Sequence, residues 1–234
     1  MFFYGFVGPY RAQILKHTLG KNNYMTMRND CIELEVKFLI SNLSTMKRRL
    51  EESGANISRP RTFELNLRFD TSNSDLRRES KTLRLRQDNQ ISLTYKGPTN
   101  IIDGIQQRTE IEFSVSDFER AQRFLEALGY QVCMVYDKYR TNYTRESITI
   151  SLDEMPFGDF IEIEGPDPES IHNVAIELGL NWETRINSSY AEIFERVRQL
   201  LGLTFRDLTF VNFSGIQSPL AQLKIYPADQ TSDA

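Results

Sequence analysis

Glutamates separated by a single apolar residue recur three times in this chain: Glu33 and Glu35 in Ile32-Glu33-Leu34-Glu35-Val36-Lys37-Phe38, Glu110 and Glu112 in Arg108-Thr109-Glu110-Ile111-Glu112-Phe113, and Glu162 and Glu164 in Phe160-Ile161-Glu162-Ile163-Glu164-Gly165. Successive side chains of an extended chain point to opposite faces, so each segment sets its carboxylates on one face and its apolar residues on the other. Carboxylates of this kind are hard oxygen donors of the type that holds a divalent cation together with phosphate oxygens. With Asp153 they make seven acids, and seven bases alternate in the same way: Lys37, Arg84, Arg86, Lys96, Arg108, Lys138 and Arg140. Guanidinium forks and lysine point charges suit phosphate oxygens.

One such strand alone would read equally well as a solvated sheet face with cross-strand ion pairs. The set is harder to explain that way, because exposed sheet faces usually mix in Thr, Ser and Gln. An unpaired charge in a dry interior costs several kcal/mol. An enclosed space lined by both signs must therefore be wet, internally paired or occupied, and a metal cation with a polyanion would satisfy both signs at once.

Period-two alternation marks strands near residues 31–39, 61–70, 81–87, 91–97, 106–114, 134–143, 147–154 and 159–165. Asp88-Asn89-Gln90 and Met155-Pro156-Phe157-Gly158 read as hairpin turns. Helical stripes run through Leu43, Met46 and Leu50, through Phe118, Ala121, Leu125 and Leu128, through Ile171, Val174, Ala175 and Leu178, and through Tyr190, Ile193, Phe194, Val197, Leu200 and Leu201. Ser116 and Asp117 suit a capped start, Pro168 a first helical turn, and Gly54, Gly129 and Gly179 helix ends. The apolar strand faces, including Leu34, Val36, Phe38, Leu83, Leu85, Ile111, Phe113, Ile161 and Ile163, need a cover. The expectation is a layered α+β domain with helices outside and the charged faces turned toward each other.

At 234 residues the chain suits one sizeable domain, and a net charge of −4 lacks the basic footprint of a general nucleic-acid binder. Cys31 and Cys133 have neither metal-site spacing nor enough partners for a disulfide framework, which favours a reducing, cytoplasmic setting. The apolar start, Met1 to Pro9, lacks a basic flank and is too short to span a bilayer, so no membrane role is expected. Residues 1–29 read as an N-terminal extension of low order. Residues 203–234 read as an appendage that covers a helix or supplies an interface, fraying from Pro227 onward.

In their order along the chain these motifs resemble the CYTH superfamily, the triphosphate tunnel metalloenzymes that include class IV adenylate cyclases, thiamine triphosphatases and inorganic triphosphatases. Glu33-Leu34-Glu35-Val36-Lys37 is similar to its ExExK signature. The likeness continues through Leu83-Arg84-Leu85-Arg86, Leu93-Thr94-Tyr95-Lys96-Gly97-Pro98, Arg108-Thr109-Glu110-Ile111-Glu112, Lys138-Tyr139-Arg140, Leu152-Asp153 and Glu162-Ile163-Glu164-Gly165. The resemblance implies an eight-stranded antiparallel β-barrel tunnel over residues 30–202, with a charged interior and helices outside. It implies that Glu33 and Glu35, together with Glu162, Glu164 and Asp153, hold Mg²⁺ or Mn²⁺, while Glu110 and Glu112 orient the bases or support a second metal. Lys37, Arg84, Arg86, Lys96, Lys138 and Arg140 would grip the phosphates, with Arg108 as a further contact. Phe63 to Asp70 resembles the second strand of prokaryotic members, which sets Glu64 and Asn66 either at the mouth or on a half-exposed strand.

The expected activity is metal-dependent hydrolysis of inorganic tripolyphosphate or a nucleoside triphosphate, with Lys37, Glu35 and Arg86 as catalytic residues and Lys37 aiding water activation. The alternative keeps the cage and lets a ribose 3′-hydroxyl of ATP attack the α-phosphate, giving cyclic AMP and pyrophosphate. A third reading is a non-catalytic polyphosphate binder. His17 and His172 fall outside the charged set, and Trp182 falls in a loop where it packs. A homodimer is compatible with the resemblance.

Overall fold

In the computed structural model, which describes residues 32–230, the alternating segment opens the fold as strand β1, Ile32–Ile40. The expected extension, residues 1–29, lies outside the described residues. Asn42 then accepts a hydrogen bond from the Thr45 amide at 2.8 Å and starts helix α1, Leu43–Glu52. The chain continues through β2 (Asn56–Asp70), a single turn α2 (Asp75–Arg78), β3 (Thr82–Gln87), β4 (Ile91–Lys96), β5 (Asn100–Ile102) and β6 (Ile105–Ser114). Helix α3 (Phe118–Ala127) follows its Asp117 cap, then come β7 (Gln131–Arg145), β8 (Ile148–Met155) and β9 (Gly158–Glu164). Helix α4 (Pro168–Glu177) starts on Asp167 with proline in its first turn. Helix α5 (Tyr190–Leu201) starts on a reciprocal Ser189–Glu192 capping box.

The nine strands form one antiparallel sheet in the order β1-β9-β8-β7-β2-β3-β4-β6-β5, and β1 also pairs with β6. That last pairing closes the sheet into a ring. One strand more than expected is present: β5 is a three-residue arm on β6, too short for period-two alternation to reveal. β2 and β7 each run to fifteen residues. The first part of β2 carries Pro60, and its pairing slips between Ile57 and Arg59 and again between Arg59 and Thr62. Such irregularities break the alternation by which a strand is read from sequence.

The outer face of β1, β8 and β9 is covered by α1 and α4, with Val36, Phe38, Ile150, Ile161 and Ile163 packed on Met46, Leu50, Ile171 and Ala175. Helix α3 sets Leu125 over Leu67, Phe69 and Leu85. Two residues expected beneath a helix are not covered: Ile111 and Phe113 on the far half of β6 are 48% and 54% exposed. Among the described residues, no helix makes an extensive contact with β6.

Helix α5 departs from the outside position. Residues on the inward face stay charged up to Lys37, Glu162 and Asp153, but the next inward positions on the same strands are Leu39, Phe160 and Met155. These join Met134 and Tyr136 in a cluster with Ile193, Phe194 and Val197 of α5. The helix therefore stops one end of the ring with apolar side chains.

The C-terminal segment belongs to the same unit and buries Leu208, Phe213, Leu220 and Ile225 in that cluster. Its backbone exchanges hydrogen bonds with β7, from Leu208 to Val135 and from Asp137 to Leu208. At Pro227, where a fray was expected, the chain is still held. Pro227 bridges Leu39, the Ala228 amide donates to the Leu39 carbonyl at 2.8 Å, and the Asp229 carboxylate accepts from the Ser41 and Asn42 amides. Trp182 packs between Phe38 and His172 on the outer side. Among the described residues no helix is long and apolar enough to cross a membrane.

Candidate active site

Strand register decides which charges meet. Glu35 lies opposite Glu164 and Lys37 opposite Glu162 across β1 and β9, while Glu33 faces Arg108 across β1 and β6. Lys96 faces Glu110 across β4 and β6, and Arg140 faces Asp153 across β7 and β8. Every one of the fourteen charged candidates read from the sequence except Asp153 lines a single hollow of about 390 Å³. Asp153 is fully buried immediately behind its wall.

On one side the acids outnumber the bases. Lys96 reaches both Glu33 oxygens at 2.8 and 2.9 Å and Glu110 at 3.0 Å. Arg108 forks between Glu33 at 2.7 Å and Glu35 at 2.9 Å. Two cations thus serve three carboxylates, and Glu164 beside them has no ion pair among the described residues. Although Glu164 ends its strand as an exposed residue, the partial burial of its carboxyl at the wall, then the negative charges of Glu33 and Glu110, push it up to about 7. Glu35 is raised for the same reasons, by burial first and then by Glu33 and Glu162.

On the other side Asp153 and Glu162 are both matched by cations. Asp153 accepts from Arg140 through both oxygens at 2.6 Å, from Lys138 at 2.9 Å and from the Tyr190 hydroxyl at 2.8 Å. Glu162 pairs with Lys37 at 3.0 Å and with Arg140. Burial would raise Glu162, but Lys37, Arg140 and Lys138 overcome it and hold the carboxyl well below the usual range. Lys37 is held above its ordinary value, because Glu162 and Glu35 outweigh its burial. Its ammonium is a fixed cation rather than a base, which narrows the water-activating role expected for it. On β3 and β6, Arg86 and Arg84 reach Glu112 at 2.9 and 3.3 Å, and Thr94 donates to the same carboxylate at 2.6 Å.

The donor chemistry on the acidic side fits a hard divalent cation: Glu33, Glu35, Glu110 and Glu164 offer only oxygen, and burial, with the neighbouring glutamates adding to it, has raised two of the carboxyls. Among the described residues, no three acidic, histidine or cysteine side chains already stand in metal-binding geometry. Lys96 and Arg108 occupy the carboxylates instead. Asp153, also expected as a metal ligand, accepts hydrogen bonds from Arg140, Lys138 and Tyr190 through its two oxygens and aligns both cations.

Several lining residues were not singled out from sequence, among them Arg68, Tyr136, Ser151 and Tyr190. Tyr136 and Arg68 sit on alternating strand positions and were readable by the same parity as Lys138 and Arg84. Tyr190 was not, because it opens a helix. Glu64 and Asn66 are fully buried behind Lys138 and Arg86, neither at a mouth nor half-exposed. Neither makes a side-chain hydrogen bond among the described residues, and Glu64 meets Lys138 only at 3.6 Å.

Residues 31–192 match the family model described as the CYTH domain. A protein of Methanocaldococcus jannaschii named "Putative adenylate cyclase" is 31% identical over 136 residues, covering 57% of this chain and 76% of that protein. The solved structure of PH1012 from Pyrococcus horikoshii is 30% identical with a TM-score of 0.58, covering 68% of this chain and 98% of that one. The structure of HpAC1 from Hippeastrum, described as revealing a dominant triphosphatase activity, is 17% identical with a TM-score of 0.53 over 70% of this chain and 96% of that one. At that identity the likeness is one of fold.

Proposed function

The chain belongs to the CYTH domain family, and from that footing we propose that it is a metal-dependent triphosphatase acting on inorganic tripolyphosphate or a nucleoside triphosphate inside the ring. The observation that carries this reading is the unequal division of charge in one enclosed hollow: carboxylates left in excess on one wall, cations fixed by buried partners on the other. A polyanion accompanied by a divalent cation complements both walls at once, which neither ligand does alone.

Mg²⁺ or Mn²⁺ would be held by Glu33, Glu35 and Glu164, with Glu110 and Glu162 nearby, and would supply charge neutralisation on phosphate oxygens. The chain's own residues do the rest. Lys37, Lys138 and Arg140 present cations whose direction is set by Glu162 and Asp153. Arg84 and Arg86, held by Glu112, face the same hollow and bind the charge that collects on the departing phosphate. With a cation held by those carboxylates, Lys96 and Arg108, which now pair with them, would be free to bind phosphate oxygens. Water then attacks the terminal phosphorus, the P–O bond to the leaving phosphate breaks, and the products are orthophosphate and the shortened phosphate chain.

A second reading, cyclisation of ATP to cyclic AMP and pyrophosphate, is favoured by the name of the archaeal relative. It uses the same cage. Incubation with tripolyphosphate and with ATP, each with Mg²⁺ or Mn²⁺, separates the two: orthophosphate release supports hydrolysis, and cyclic AMP with pyrophosphate overturns it. Tight binding of tripolyphosphate with no product from either compound would leave a polyphosphate-binding protein.

A further inference from the structure

We propose that Tyr190, the first residue of α5, is a positioning residue for the fixed cations of the hollow: its hydroxyl anchors Asp153 and its ring face supports the Lys37 ammonium. The proposal rests on the triphosphatase reading only for what those cations act upon. The geometry stands apart from it.

The Tyr190 hydroxyl donates to Asp153 Oδ2 at 2.8 Å, the oxygen that also accepts from Lys138 Nζ at 2.9 Å and from Arg140 at 2.6 Å. One donor from the helix therefore completes the carboxylate that aligns two cations on β7. The same ring lies 4.4 Å from Lys37 Nζ and 5.5 Å from Lys138 Nζ, measured to its centroid. A lysine chain is long and freely rotating, and the face of a buried aromatic ring gives its ammonium a second support besides Glu162. Without that support, Glu162 alone governs where Lys37 points.

Tyr190 is itself firmly seated. Its ring meets Phe160 edge-on at 5.1 Å, its helix starts on the Ser189–Glu192 box, and the preceding loop is tied to β1 where the Ile186 amide donates to the carbonyl of Lys37 at 2.8 Å. Burial and the neighbouring Asp153 and Glu162 keep the phenol protonated far above its ordinary range, so the hydroxyl remains a donor. The plug helix thus joins the charged wall at one side chain, and both contacts of that side chain orient groups that would meet the phosphates.

The test compares Tyr190→Phe, Tyr190→Leu and a control, Phe194→Leu, which removes a buried ring of the same helix without touching a lysine of the hollow. In protein carrying ¹³C at the lysine ε-position, the Lys37 methylene resonance should be displaced by the ring current, remain displaced in Tyr190→Phe and in Phe194→Leu, and return to the range of exposed lysines in Tyr190→Leu. This readout needs no substrate. With tripolyphosphate and Mg²⁺, Tyr190→Leu should lower kcat by about tenfold or more while KM changes less than about threefold, and Tyr190→Phe, which keeps the ring under Lys37 but loses the anchor on Asp153, should fall between Tyr190→Leu and the wild type; wild-type activity in Tyr190→Phe would overturn the role of the hydroxyl. An unmoved Lys37 resonance in Tyr190→Leu, or an equal movement in Phe194→Leu, would overturn the proposal. A displaced Lys37 resonance in a wild-type protein that hydrolyses nothing would uphold the positioning and sink the triphosphatase reading instead.

Discussion

Two walls of one hollow are built from the same residue types and differ in how completely their charges are matched. On the Glu33–Glu35–Glu164 side, two cations are shared by three carboxylates and Glu164 is left over, and burial together with its acidic neighbours raises that carboxyl to about 7. On the Asp153–Glu162 side, Lys37, Lys138, Arg140 and Tyr190 take up the oxygens, and Glu162 is held far below the usual range. An acid with spare charge is what a divalent cation would bind. An acid whose charge is taken up is part of the frame. The number of glutamates alone does not separate these roles; the number of bases within reach of each one does.

If the contrast is real, the two walls must fail differently. Asp153→Ala should cost about 3–5 kcal/mol of folding stability, because it leaves Lys138 and Arg140 without their main buried partner; chemical denaturation would check this. Glu35→Gln should instead lower metal-dependent phosphate release by about 100-fold or more without lowering the melting temperature, since it removes a ligand and relieves repulsion at once. Equal losses of stability in the two variants would erase the distinction. The Mg²⁺ complex of tripolyphosphate, taken as one ligand at roughly a hundred times its dissociation constant, should stabilise the protein by about 2.7 kcal/mol, read as an upward shift in melting temperature.

The smallest effect is the most specific to the acidic wall. Glu164 has its folded pKa raised from 4.5 to about 7, so over that window the folded state binds more protons than the unfolded state. Stability contributed by its protonated form is present below pH 4.5 and is lost as pH rises to 7. Glu164→Gln should flatten that part of the stability profile, and Asp153 variants should leave it unchanged.

Much of this arrangement was readable from alternation. Glu33, Glu35, Lys37, Arg84, Arg86, Glu162 and Glu164 sit on regular strands, and parity places their side chains on one face. Register was not readable, and register is what pairs Lys96 with Glu110 and Arg140 with Asp153. The plug was missed for a related reason: Tyr190 opens a stripe whose other members, Ile193, Phe194 and Val197, look like any helix packing on the outside of a sheet. Only the change from Lys37 to Leu39, from Glu162 to Phe160 and from Asp153 to Met155 along the inward face hinted that the charged lining ends before the strands do. The exposed Ile111 and Phe113 show the converse limit, since apolar alternation marks a face without saying that a helix will cover it.

The central claim is that both walls act on one ligand. Calorimetric titration of tripolyphosphate into the wild-type protein and into Glu35→Gln, each with and without Mg²⁺, tests it most directly. A single site whose affinity rises with Mg²⁺ in the wild type, and no longer responds to Mg²⁺ in the variant, is the predicted result. Absence of binding, or an affinity that responds equally to Mg²⁺ in both proteins, would contradict it.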